Sequence, residues 1–150
     1  MLTLNGQRFT EGQTLYFDAD PNGSASKQAI YVEVLLPIDT GIGVYAMVDT
    51  GCPYCIFNTE LIEALGLASG DGEKISLITP RGRFTGTIQR IPIRLRATQG
   101  ASLDIDASIY VTEDDWHFGN FLGYTGFLER FRFAIDPSTY TFYFGKYDID

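Results

Sequence analysis

Residues 44–57 read VYAMVDTGCPYCIF and form the most informative stretch of this 150-residue chain. An apolar run ends at Val48, a turn that begins with Asp49-Thr50-Gly51 follows it, and the apolar pair Ile56-Phe57 comes next. An aspartate at the end of a buried strand, in a turn that needs glycine, can meet a second aspartate across an interface. Two carboxylates held that close share one proton, so one can accept a proton from water while the other donates one. Asp49 is therefore a candidate acid–base group.

The sequence before this stretch predicts two hairpins and a loop. A β-branched run at 30–36 and the apolar run at 42–48 predict one hairpin, joined through Asp39-Thr40-Gly41. We interpret Asp39-Thr40-Gly41, the other copy of this tripeptide, as an ordinary turn, because it follows Pro37 at the predicted hairpin turn, where aspartate and glycine are common residues. Asn5-Gly6 predicts the other hairpin turn. The polar segment 12–27 predicts an exposed loop.

The sequence after this stretch predicts a short helix and further strands. Residues 58–65 favour a helix with Asn58 as its N-cap and Gly66 after its last turn. From residue 75 to residue 111 the apolar residues recur with period two, which predicts strands with one exposed face. A helical turn is expected at 126–130, followed by a hairpin that pairs residues 131–135 with 140–144.

The composition is that of one globular, mostly β domain spanning residues 1–150, with 45% apolar and 20% charged residues. The net charge of −8 would repel a phosphate backbone, so a nucleic-acid partner is not expected. No apolar stretch approaches the roughly 18 residues of a membrane span, and no membrane partner is expected. The N-terminus shows no secretory signal, which favours a cytoplasmic location. Cys52, Cys55 and His117 give at most three ligands, so no metal site is predicted.

Two distant motifs together resemble the retropepsin-like aspartic proteases, and in particular their bacterial members. Asp49-Thr50-Gly51 after an apolar strand resembles the active-site loop of that family. Phe121-Leu122-Gly123, followed by a short helical segment, resembles the apolar-apolar-glycine segment that pairs with this loop. The hairpin at 133–144 resembles the end of the bacterial members. The resemblance covers about residues 30–144.

The resemblance implies an all-β, retropepsin-like half-barrel with one or two short helices. It implies an aspartic endopeptidase that cuts polypeptides as a homodimer and needs no cofactor. In such a dimer Asp49 of each copy would hold the attacking water, Thr50 would bond to the partner's active loop, and Gly51 would shape the loop.

The same resemblance assigns the substrate-binding residues. Pro53 and Tyr54 would border the cleft beside the active loop. The segment 80–83 would be the tip of a flap, with Arg81 and Gly82 closing over the substrate. Leu122 and Gly123 would complete the binding surface.

Two other interpretations remain open. Cys52-Pro53-Tyr54-Cys55 is identical to the redox site of many glutaredoxins, in which a helix N-terminus lowers the pKa of the first thiol. That interpretation makes the chain a thiol–disulfide oxidoreductase, but the segment after Leu67 lacks the helices of a parallel α/β fold. The other interpretation is a non-catalytic binding or dimerisation module with the retropepsin fold.

Overall fold

A computed structural model of the chain describes residues 1–23, 28–38, 43–68, 70 and 72–148. The expected turn at Asp39-Thr40-Gly41 lies outside these residues. The strands, in chain order, are β1 (Thr3–Leu4), β2 (Gln7–Arg8), β3 (Gly12–Leu15), β4 (Phe17–Ala19), β5 (Gln28–Leu35), β6 (Gly43–Val48), β7 (Ile75–Thr79), β8 (Gly82–Leu95), β9 (Gln99–Gly100), β10 (Leu103–Thr112), β11 (Phe121–Leu122), β12 (Arg132–Asp136) and β13 (Thr141–Gly145). An α-helix, α1 (Thr59–Ala64), and a 3-10 helix (Leu128–Arg130) accompany them.

The strands form two sheets and one small hairpin. The larger sheet has the order β10-β8-β5-β6-β11, with β4 paired to β5 and β7 paired to β8. Its pairs are antiparallel except β6 with β11, which run parallel. The second sheet has the order β12-β13-β3-β9, and β1 pairs with β2 alone. The all-β prediction is confirmed, and no helix in the described ranges is long and apolar enough to cross a membrane.

The period-two prediction for the long strands is confirmed by β8 and β10. Ile93 and Leu95 of β8 are fully buried, whereas the arginines between the apolar positions face outward. Arg94 bonds to Asp104 at 2.8 Å across the β8–β10 pair. This alternation fixes the register, because a one-residue slip would turn every apolar side chain outward.

The main hydrophobic core contains residues from both sheets. Val32, Ala46 and Ile109 come from the larger sheet, and Phe142 and Phe144 come from β13 of the second sheet. Burial of a valine, isoleucine or phenylalanine side chain in this core contributes about 1.5–3 kcal/mol to folding. A smaller cluster of Ile56, Leu77, Tyr110 and Trp116 lies apart from it.

The prediction of an exposed loop over residues 12–27 is wrong for its first half. β3 pairs with both β13 and β9, and the side chain of Tyr16 is buried. A Cβ on Gly12 would lie 2.1 Å from the carbonyl oxygen of Ala101, so glycine is required for this close strand crossing. The segment is polar, but its backbone has partners on both sides, and those partners are distant in sequence.

The helix prediction is confirmed in position but not in its cap. α1 begins at Thr59, and Gly66 follows it with a φ of +71°. The side chain of Asn58 makes no capping bond. Its Oδ1 instead accepts a hydrogen bond from the Gly119 N–H at 2.9 Å, and its own N–H donates to Asn120 Oδ1 at 2.9 Å. Asn58 therefore ties the start of the helix to the segment that leads into β11.

The C-terminal hairpin has the predicted register, with Phe133 opposite Phe144 and Ile135 opposite Phe142. Tyr140 is an exception, because it lies in the turn with a φ of +52° and not in β13. The helical turn expected before this hairpin is the 3-10 helix, which begins at Leu128.

Candidate active site

Asp49 begins a tight turn at the end of β6. The Cys52 N–H donates to the Asp49 carbonyl oxygen at 3.1 Å, which closes the turn. The Gly51 N–H donates to Asp49 Oδ1 at 3.0 Å, which orients the carboxylate. The Asp49 side chain is half-buried, and in the described residues no other hydrogen bond reaches its carboxylate. One carboxylate oxygen is thus held by the turn, and the group can still meet a further partner.

β11 supports this turn from the far end of the chain. Its parallel pairing places Leu122 beside Val48, and the Leu122 carbonyl accepts a bond from the Asp49 N–H at 3.0 Å. The Tyr124 N–H then donates to the Cys52 carbonyl at 2.8 Å. The two motifs singled out in the sequence are therefore joined directly by backbone hydrogen bonds.

Gly123 is the residue that lets the two segments approach so closely. A Cβ at this position would lie 2.2 Å from the Tyr54 carbonyl oxygen and 2.7 Å from its nitrogen. No side chain fits between two backbones at that separation. The glycine of the Phe121-Leu122-Gly123 motif is thus explained by its packing against the turn at residues 49–54, which we call the active turn.

The β7–β8 hairpin supplies a second wall. Its register places Thr79 opposite Gly82, and Pro80 and Arg81 form its tip. Thr79 Oγ1 accepts a bond from the Arg81 N–H at 3.0 Å and donates to the Gly82 carbonyl at 3.1 Å. The hydroxyl of Tyr110 lies within hydrogen-bond distance of the carbonyl oxygens of Ile75 and Phe84 near the root of the hairpin.

A cavity of about 540 Å³ lies between these segments. The active turn contributes Asp49, Gly51, Cys52 and Pro53 to its lining. The hairpin contributes Ile78, Thr79, Pro80 and Arg81. The remaining wall is apolar and consists of Ile56, Trp116, Phe118 and Phe121. Its volume is that of a typical ligand site, and apolar walls around a few polar groups are typical of such sites.

The aromatic wall is rigidly built. Trp116 is buried, its Nε1–H donates to the Gly119 carbonyl at 2.9 Å, and its ring lies 4.9 Å from that of Phe118 and 6.0 Å from that of Phe121. Ile78, Trp116, Phe118 and Phe121 line the cavity but were not predicted from the sequence to do so. The spacing of aromatics between residues 116 and 121 was the available signal.

The structure places some of the predicted substrate-binding residues at the cavity and others away from it. Pro53 and Arg81 line the cavity, and Gly82 follows the tip with a φ of +124°. Tyr54 is not among the lining residues, because its ring stacks on Tyr110 at 5.9 Å. Leu122 is fully buried and holds the active turn through its backbone.

The assignment of Leu122 and Gly123 to the substrate-binding surface stays a prediction. Leu122 and Gly123 are both buried beneath the turn, so neither residue lines the cavity. Thr50 is exposed at the apex of the turn.

The environment of the two cysteines disfavours the thiolate form that redox chemistry requires. Burial raises the pKa of the Cys55 thiol to about 12 and also raises the pKa of Cys52. The Cys52 Sγ–H donates to the Tyr54 carbonyl at 3.1 Å. α1 begins only at Thr59, so its N-terminus does not stabilise either thiolate. Both thiols are protonated near neutral pH, which argues against the thiol–disulfide interpretation.

His117 lies at the surface and faces acidic side chains. Its Nδ1 is 3.4 Å from Glu60, and its Nε2 is 3.8 Å from Asp115. Across the part of the chain that the structure describes, no three His, Cys, Asp or Glu side chains come together as metal ligands.

This arrangement of strands, turn and hairpin is an all-β, retropepsin-like acid-protease fold. Among solved structures, a retropepsin-like aspartic protease from Rickettsia conorii matches it with a TM-score of 0.55 over 89% of this chain and 98% of that chain. The two sequences are 18% identical, so the likeness concerns the fold. No protein-family profile matches the chain, and no curated protein matches it significantly.

Proposed function

We propose that this protein is an aspartic endopeptidase that cuts polypeptides as a homodimer, with Asp49 of each copy at the shared centre. The observation that carries the proposal is the placement of the Asp49 carboxylate. It is oriented by the Gly51 N–H and lies in a cavity bounded by an apolar wall and by a hairpin tip. That combination supports the binding of an extended peptide beside an acid–base group.

The dimer is proposed because one copy lacks a second acid. Among the described residues that line the cavity, Asp49 is the only carboxylate. Hydrolysis by this chemistry needs two carboxyl groups that share a proton. The apex of the turn supports the same arrangement, since Thr50 and Gly51 are exposed and accessible to another copy.

The proposed reaction uses the two carboxyl groups in complementary roles. The ionised carboxylate accepts a proton from a water molecule, whose oxygen attacks the peptide carbonyl carbon. The protonated carboxyl group donates its proton to the carbonyl oxygen. The tetrahedral intermediate then collapses: the amine nitrogen takes up the proton that the first carboxyl group gained from water, the C–N bond breaks, and the other carboxylate recovers a proton from a hydroxyl group of the intermediate. Activity is expected at mildly acidic pH, where the pair holds one proton.

The first test is cleavage of a peptide library, read by mass spectrometry between about pH 4 and 7. Wild type is compared with Asp49→Asn, which keeps the size of the side chain. Cys52→Ser is the matched control, because it changes the neighbouring cavity residue and retains a donor for the Tyr54 carbonyl. We expect cuts that disappear in Asp49→Asn and persist in Cys52→Ser. Cuts that persist in Asp49→Asn would refute the assignment of Asp49.

A second test examines the dimer directly. Wild type and Asp49→Asn are mixed at several ratios and allowed to exchange subunits. If each active site needs Asp49 from both copies, activity falls with the square of the wild-type fraction. A linear fall would show that one copy suffices. A monomer in sedimentation experiments at assay concentration, or a lack of cuts in every sample, would favour a non-catalytic binding module.

A further inference from the structure

Arg81 lies at the tip of the β7–β8 hairpin. Its backbone N–H donates to Thr79 Oγ1 at 3.0 Å, so the turn that carries it is closed. Its side chain lines the same cavity as Asp49. A peptide bound beside Asp49 would therefore occupy a cavity that Arg81 also lines.

An aromatic ring holds the guanidinium of Arg81 in place. The Cζ atom lies 5.0 Å from the centre of the Phe118 ring, and Phe118 packs in turn against Trp116. A guanidinium that stacks on a ring keeps its N–H groups at the edge of its plane, where they remain free to bind an acceptor. The stacking thus orients the cation without occupying its donors.

Arg81 differs in its pairing from three arginines in or directly after β8. Arg90, Arg94 and Arg96 each form a salt bridge with a carboxylate of the sheet surface. Within the described residues, no carboxylate lies within ion-pair distance of Arg81. It is also the only cation among the described residues that line the cavity. The cavity therefore contains an oriented and unneutralised positive group.

We infer that Arg81 selects peptides with an acidic side chain close to the bond that is cut. This inference rests on the proposed function and specifies its substrate class. A planar guanidinium matches a carboxylate through two parallel hydrogen bonds. Because Arg81 and Asp49 line the same cavity, the acidic residue is expected within a few residues of the cut bond. The chain is acidic overall, so its long-range field does not favour such peptides, and the preference depends on Arg81.

The test uses pairs of peptides that differ only by Glu or Gln at each position around a known cut. For wild type at low salt we expect kcat/KM to be about 3- to 10-fold higher for the Glu peptide at one position, mainly through KM. Arg81→Gln should abolish the difference, and Arg81→Glu should reverse it in favour of the Gln peptide. Arg83→Gln is the matched control, because Arg83 is exposed on the same hairpin and does not line the cavity. It should leave the preference unchanged.

A binding measurement separates this inference from the proposed function. Trp116 is the only tryptophan of the chain and lines the cavity, so its fluorescence reports peptide binding to Asp49→Asn. If wild type cuts Glu and Gln peptides equally, the inference fails and the proposed function stands. If wild type cuts nothing, but Asp49→Asn binds Glu peptides more tightly and loses this on adding Arg81→Gln, the acid preference stands and the proposed function fails. Equal binding of both peptides to Asp49→Asn would overturn the inference.

Discussion

The active turn and the hairpin tip face one cavity but are held in different ways. The turn at Asp49 is tied by backbone hydrogen bonds to Leu122 and Tyr124, and Gly123 packs directly against Tyr54. The hairpin tip is held by Thr79 and by the stacking of Arg81 on Phe118. The comparison shows the Asp49 carboxylate on a densely supported backbone and the Arg81 guanidinium on a lightly supported one. Four predictions test this contrast.

The largest effect is expected from Gly123→Ala, which disrupts the packing that supports the turn. The new Cβ would lie 2.2 Å from a backbone oxygen, so one of the two segments must shift. We expect the free energy of unfolding to fall by about 3 kcal/mol or more, as measured by urea denaturation. Gly72→Ala is the control, because its Cβ would meet Thr87 at an ordinary 3.5 Å. A loss no larger than that of Gly72→Ala would refute close packing at Gly123.

The next largest effect is a pH dependence of the free energy of unfolding, caused by Cys55, a buried residue just after the active turn. Burial raises the pKa of the Cys55 thiol from 9.0 for the free side chain to about 12. The stabilising contribution of the protonated thiol is therefore fully present below about pH 9 and is lost as the pH rises towards 12.

The measurement is the free energy of unfolding of wild type and of Cys55→Ala from pH 8 to 11. Above pH 9 the wild type should lose up to about 1.4 kcal/mol per pH unit more than the variant. Parallel pH profiles would show that Cys55 does not lie in an apolar environment. Cys52→Ser serves as a comparison for the more accessible thiol of the same turn.

A smaller effect is expected from Tyr110→Phe at the root of the hairpin. The lost hydroxyl lies near the carbonyl oxygens of Ile75 and Phe84, on the two strands of the hairpin. We expect a loss of about 1–2 kcal/mol in the free energy of unfolding, and faster hydrogen exchange confined to β7 and β8. Tyr124→Phe is the control, because Tyr124 is about half exposed and its hydroxyl has no hydrogen bond in the described residues. Exchange that accelerates equally in both variants would contradict a role of Tyr110 in holding the hairpin.

The smallest effect is expected from Arg94→Gln, at the other end of β8. The hydrogen bonds from Arg94 lower the pKa of Asp104, so this pair stabilises the fold above the ordinary carboxyl pKa of 3.8, and the contribution is lost as the pH falls below it. Both side chains are exposed and screened by salt. Denaturation at neutral pH should show a slight loss that disappears at high salt. A loss as large as that of Tyr110→Phe would overturn the ranking.

The sequence alone was sufficient for features that depend on neighbouring residues. Alternating apolar residues predicted β8 and β10, since the pleat places every second side chain on one face. Asn5-Gly6 predicted its hairpin because both residues accept a positive φ. The pairing of the Asp49 turn with β11 followed from two motifs that resemble one family.

Tertiary structure decided the features that depend on distant partners. The polar segment at Gly12 became a strand because β13 and β9 supply its backbone bonds, and Asn58 bonds to Gly119 and Asn120 rather than capping its own helix. Local sequence also could not show that Leu122 is buried while Phe118 enters the cavity with Arg81 stacked on it. The local pattern of apolar and polar residues determines which elements form. The packing of elements far apart in sequence determines which side chains reach the site.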